Sequence, residues 1–223
     1  VENIDIDKAL TERLNDRTTL LRDFDQMRRD VDNSGIFDSM DIFNQRALSM
    51  MTSENVRDAF DLSKESERTR DRFGNHNWGT RALLARRLVE AGVRLVTVDL
   101  RWWDTHVKGY ETMRDGFLPR WDQAYSALLE DLEQRGLTDD VMVIAWGEFG
   151  RSPKVNSTGG RDHYPHVFSA SVSGGGIQGG RVVGASDSKG AEPKERPVRP
   201  QDVLATMYRH LGIDVSKQYL DHG

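Results

Sequence analysis

Asp104 and His106 stand two residues apart, just beyond an apolar run over 94–100 that reads as a strand. If the chain stays extended there, alternation points both side chains the same way. A carboxylate with an imidazole suits Zn, Mn or Fe, whereas Mg and Ca prefer oxygen ligands alone. Asp162, His163 and His166 place three more ligand-type groups within five residues, in a loop stiffened by Pro165. They offer one or two metal contacts or a general acid. Glu148 and Arg151 follow a second apolar run, 141–146, through Gly147. An arginine in such a place grips phosphate or sulfate through two parallel hydrogen bonds, which lysine does less well. Each group also has a plainer reading. Asp104 caps a turn beside a surface histidine, the 162–166 histidines bond to neighbouring carboxylates, and Glu148 pairs with Arg151 to hold its loop.

Other candidates are weaker. The glycine-rich stretch 174–180 lacks the Gly-x-x-x-x-Gly-Lys-Ser/Thr phosphate-loop pattern and reads as a turn. His76 and His210 stand without a ligand cluster and suit packing or surface roles, and His222 lies in a tail. No Gly-x-Ser-x-Gly elbow occurs, and Thr105, Ser152 and Thr158 are the hydroxyls adjoining the clusters.

These groups need elements to position them. Leu84, Leu88 and Ala91 share a helical face that stops at Gly92, and the strand over 94–100 follows. Pro119 suits the first turn of a helix whose face carries Trp121, Ala124, Tyr125, Leu128, Leu129 and Leu132, closed by Gly136. The strand over 141–145 comes next, so 94–145 reads as strand–helix–strand, which calls for a parallel pair with a right-handed crossover. A third strand is expected over 167–172. The turn at 174–180 then leads into 181–183, and Pro200 opens a last helix bearing Val203, Leu204, Met207, Tyr208 and Leu211, ended by Gly212. In an open parallel sheet, residues released beyond the carboxyl ends of the strands converge on one crevice. The expected fold is therefore α/β, a mostly parallel sheet flanked by helices.

Residues 1–75 differ in character. They are dense in Asp, Glu and Arg, with Leu10, Leu14, Leu21, Phe24 and Met27, then Ile42, Phe43, Ala47 and Met50, at helical spacing. Ser34-Gly35 separates two helices, Ser53-Glu54 starts another, and Phe73-Gly74-Asn75 ends one. The expected division is a helical, charged segment over 1–75 and an α/β core over 76–223.

Composition narrows the function classes. At 223 residues the chain can bury a sizeable core. It is polar, with 37% hydrophobic and 30% charged residues, yet five Trp and eight Phe argue against global disorder. Lys and Arg are interspersed with Asp and Glu around a net charge of -5, with no cationic stripe for nucleic acid. No apolar run approaches the roughly 20 residues that cross a bilayer. The absence of cysteine removes thiolate metal sites and cysteine nucleophiles. The chain opens at Val1 inside helical sequence, as a piece of a longer protein would.

The runs 82–93, Trp103-Asp104-Thr105-His106, 128–136, Gly147-Glu148-Phe149-Gly150-Arg151-Ser152-Pro153 and Gly160-Arg161-Asp162-His163 together resemble the bacterial family of domain of unknown function 1501. The 174–180 glycines, Thr206 and Leu211-Gly212-Ile213 fit it too, so the resemblance covers most of 54–214. That family is regarded as similar to alkaline phosphatases and sulfatases. The resemblance thus implies an alkaline phosphatase-like fold and metal-dependent hydrolysis of phosphate or sulfate esters, on a small-molecule or carbohydrate substrate. It implies a divalent metal (Zn, Mn, Ca or Mg) on Asp104, His106 and His163 or His166, with Glu148 where an Asp of an Asp-His-Gly motif would stand. Phe149 takes the place of the second ligand of that pair. The resemblance also implies a preceding N-terminal portion with the first metal Asp and the nucleophile region, and it is compatible with a periplasmic or exported location. The alternatives are a fold relative without catalysis that acts as a binding or assembly module, and a structural metal site that braces loops.

Overall fold

The computed structural model describes residues 42, 44, 53–101 and 103–217. The helical faces expected over 10–27 and 43–50, with the break at Ser34-Gly35, lie outside them, although Ile42 and Asn44 have helical backbone. The chain forms two compact units, Val1–Lys64 with Arg87–Val93 and Glu65–Arg86 with Arg94–Gly223.

In the first unit, helix α1 (Glu54–Phe60) is followed by a 3-10 turn, Leu62–Lys64. The last carbonyls of a helix have no partner within it. Here Arg87 meets two of them, donating from Nε to Ala59 O at 2.9 Å and from Nη2 to Asp58 O at 2.6 Å.

The second unit holds the chemistry. Helix α2 (Glu67–Phe73) starts at Ser66, whose hydroxyl accepts the Thr69 amide at 3.1 Å, and ends at Gly74. Helix α3 (Asn77–Glu90) follows and runs on into the first unit. Next come the short helix α4 (Gly109–Thr112), a π-type turn (Met113–Phe117) and helix α5 (Leu118–Gln134). Helix α6 (Pro200–His210) closes the described chain. The helix ends follow local chemistry. Gly92 lies in the left-handed region at φ +94, with its N–H on Val89 O at 2.9 Å and Val93 N–H on Leu88 O at 3.0 Å, a closure that an L side chain adopts only with strain. Gly136 and Gly212 end α5 and α6 in the same manner.

Phe73, Trp78, Leu83, Ala124, Ala127 and Leu132 are buried among α2, α3 and α5. Arg86 is buried with them at 2% exposure, its charge met by Glu65 and Asp131 at 2.9 Å each. Asp131 also takes Arg135 at 2.9 Å and Arg72 at 3.4 Å.

The expected parallel sheet is not there, which removes the alkaline phosphatase-like architecture. Among the described residues the strands form three separate antiparallel pairs. Strand β1 (Met142–Ala145) pairs with β4 (Ser171–Gly174), Met142 facing Gly174 and Ala145 facing Ser171. Strand β2 (Gly150–Arg151) pairs with β3 (His163–Tyr164), and β5 (Ala185–Ser186) with β6 (Pro193–Glu195). The reason lies in the connections. A parallel neighbour needs a crossover of a dozen or more residues, usually a helix. No helix lies between β1 and β4, so the returning chain runs the opposite way. The run 94–100 forms no strand, because strand preference expresses itself only against a partner. The strand expected over 167–172 forms instead at Ser171–Gly174, and 181–183 is not a strand. Gly174, Gly175 and Gly176 all have positive φ, consistent with the turn expected there.

Candidate metal centre

Two loops are laced together by their backbones. The first, 103–109, is anchored by Trp103, whose ring stacks on Trp78 (centroids 5.3 Å apart, planes 18°) and meets Phe117 at 5.2 Å. The second is 156–163. Arg161 N–H donates to Thr105 O at 3.1 Å, Lys108 N–H to Thr158 O at 3.0 Å, and Gly109 N–H to Gly159 O at 2.9 Å. Gly160 sits against the carbonyls of Thr105 and His106, where any Cβ would overlap the His106 carbonyl.

Asn156 is the hub of this lacing. Its Oδ1 accepts the amides of Thr158 (3.1 Å) and Gly160 (2.9 Å), while its Nδ2 donates to His106 O and to Asp162 Oδ1 at 3.0 Å each. The Thr158 hydroxyl adds a donation to His106 O at 2.7 Å. Residue-type reasoning passed over Asn156. Its signal was the Asn156-Ser157-Thr158-Gly159-Gly160 run, since Asn side chains bond to backbone two residues on. Asn156→Ala is expected to lower unfolding free energy by about 1–3 kcal/mol, because it strands acceptors and amides together. Urea denaturation checks this, and an unchanged midpoint would remove Asn156 from that role.

The β2–β3 pair supplies the third side. Arg151 lies opposite His163 in register, and directly opposed residues project from one face of the pair. The result is a knot around one oxygen. Asp104 Oδ1 lies 2.7 Å from His106 Nδ1, 2.7 Å from Arg151 Nη2 and 3.3 Å from His163 Nε2. Arg151 also donates to Trp103 O at 3.1 Å and Arg161 O at 3.2 Å, which ties both loops to the strand. The His106 and His163 rings are 4.6 Å apart, and Phe149 covers His163 at 4.4 Å. The Arg151 hydrogen bond, then that of His163, holds the Asp104 carboxyl down to about 2. Donors to the ionised form thus hold Asp104 below the usual carboxylate range.

One donor atom each from Asp104, His106 and His163 lies within 4.8 Å of the others. The Asp104 and His163 side chains are 62% and 52% exposed, so the group is open to solvent. The other candidates lie elsewhere. Asp162 turns to Asn156, and its carbonyl accepts Ser152 N–H at 2.9 Å. His166 Nδ1 faces Glu192 at 3.2 Å, its ring beside Tyr164. Glu148 is exposed, and no ion pair joins it to Arg151 among the described residues. His210 Nε2 donates to Asp140 O, and His76 lies at the start of α3.

A family model described as "Protein of unknown function (DUF1501)" matches residues 1–223. The chain belongs to that family. No curated protein and no solved structure matches it. Trp103-Asp104-Thr105-His106 and Gly160-Arg161-Asp162-His163 lace together, and Gly147-Glu148-Phe149-Gly150-Arg151 brings in Arg151 and Phe149. No described helix is long and apolar enough to cross a membrane.

Proposed function

We propose that Asp104, His106 and His163 hold a divalent metal ion and that the chain serves metal-dependent hydrolysis of a phosphate or sulfate ester. The observation that carries this is the convergence of one carboxylate and two imidazoles from separate loops, with Arg151 alongside. The donor set fits the ion: two ring nitrogens and one carboxylate oxygen suit Zn or Mn better than Mg or Ca. Such an ion, when bound, polarises an ester oxygen and lowers the pKa of a coordinated water. The chain's own residues do the rest. Arg151 lowers the Asp104 pKa and sets a fixed positive charge beside the site, which favours an anionic ester. Its anchors on Trp103 O and Arg161 O hold that charge in place. Phe149 shields one face of the His163 ring. The hydroxyls of Ser152 and Thr158 donate to backbone carbonyls, which favours water as the attacking group. The substrate proposed is a small-molecule or carbohydrate ester.

A second reading has its own support. The knot is fully hydrogen-bonded around Asp104 and open to solvent, as a brace between loops would be. A structural ion would then raise thermal stability without turnover.

Titration of the intact protein with Zn and Mn separates these readings. One bound ion is expected, and His106→Ala or His163→Ala should weaken it by more than the roughly 10- to 100-fold seen when a merely supporting group is lost. Hydrolysis of aryl phosphates or aryl sulfates that vanishes in the same variants supports the enzyme. Stabilisation by metal without hydrolysis leaves the brace, and equal affinity in the variants ends both readings.

A further inference from the structure

A second feature of the larger unit lies behind Trp103. A cavity of about 340 Å³ is lined by His76, Asn77, Trp78, Arg101, Phe117 and Arg120. A space of roughly 150 Å³ accepts a benzene ring, so there is room for one ring and a polar substituent.

Its walls divide by chemistry. Trp78 and Phe117, with ring centroids 5.6 Å apart, make an aromatic floor. Behind them Trp103 stacks on Trp78 and meets Trp121 edge-on, so the floor is backed by packed rings and held rigid. Among the described residues no Asp or Glu lines the cavity. Arg101 is held by Asp99 at 2.8 Å, but Arg120 has no ion pair or hydrogen bond among the described residues. An aromatic floor with donors and cations around it, on a chain of net charge -5, selects for a flat anion.

We propose that this cavity binds a planar aromatic anion, its ring resting on Trp78 and Phe117 and its oxyanion held by Arg120 and Arg101. The site stands apart from the metal reading: it shares none of the three metal-ligand candidates and requires no ion.

The test uses the full chain stripped of metal by a chelator, with tryptophan emission followed as phenylphosphonate is added. Saturable quenching is expected. Methylphosphonate, which lacks the ring, and benzyl alcohol, which lacks the charge, should each bind at least about tenfold more weakly. Arg120→Gln removes an exposed side chain without partners and so should fold normally; it should weaken phenylphosphonate about tenfold while leaving benzyl alcohol unchanged. Arg120→Lys should retain part of the binding. Absence of saturable binding, equal binding of methylphosphonate, or an unchanged affinity in Arg120→Gln would overturn the proposal. Because no metal is present, each of those results is distinct from a failure of the metal titration.

Discussion

Arg86→Met should destabilise the protein by about 3 kcal/mol, at the lower end of the range for breaking a buried ion pair from one side. The guanidinium has 1% of its side-chain surface exposed and lies between Glu65 and Asp131, both nearly buried. Methionine fills much of the same volume, so packing changes little and the loss is electrostatic. Asp131 would keep Arg135 at 2.9 Å and Arg72 at 3.4 Å, and Glu65 would keep Arg135, at 3.9 Å, among its contacts. Those remaining cations are why the lower figure applies. Apolar replacement of both sides costs less than removal of one, so Arg86→Met with Asp131→Leu should recover part of the loss. Denaturant unfolding of the three proteins decides it. A loss below about 1 kcal/mol in the single variant, or a double variant that is no better, would show that the pair is not what holds α2, α3 and α5 together.

Gly160→Ala should open the candidate metal centre while leaving the helical core folded. The added methyl would overlap the His106 carbonyl and crowd the Thr105 carbonyl, both backbone groups that cannot rotate away. One of the laced loops must therefore shift. The amide donations of Arg161 to Thr105 and Gly109 to Gly159 lie on either side of the clash and would lengthen together. Overpacking of this kind costs about 1–3 kcal/mol, sometimes more. The larger effect is on geometry, because Asp104 and His106 sit on one loop and His163 on the other. Zinc titration should show affinity falling by at least about tenfold, as expected when support for a ligand set is lost, while the far-ultraviolet circular dichroism of the helices persists. Native metal affinity in Gly160→Ala would show that the lacing of 103–109 to 156–163 does not build the site.

Helix boundaries were legible because their chemistry is local. Gly92, Gly136 and Gly212 each end a helix whose apolar face runs up to them, and Pro119 and Pro200 each fall in a first turn. Sheet direction was not legible. The runs 94–100 and 141–146 look alike as strings of β-branched and apolar residues, yet only the second forms a strand, and its partner runs antiparallel. Alternation specifies a face and leaves the neighbour open.

The same division applies to the site. From residue types and spacing alone, Asp104, His106, His163 and Arg151 stood out as groups able to hold a metal or an anion, and so did Asp162, His166 and Glu148. Tertiary structure decided among them. The antiparallel register sets His163 beside Arg151, the Gly160 contact draws Asp104 and His106 to the same place, and His166 faces Glu192 instead. Ligand chemistry belongs to a side chain and can be read one residue at a time. Convergence depends on backbone contacts between residues more than 50 positions apart, such as Arg161 with Thr105, and no local pattern carries that information.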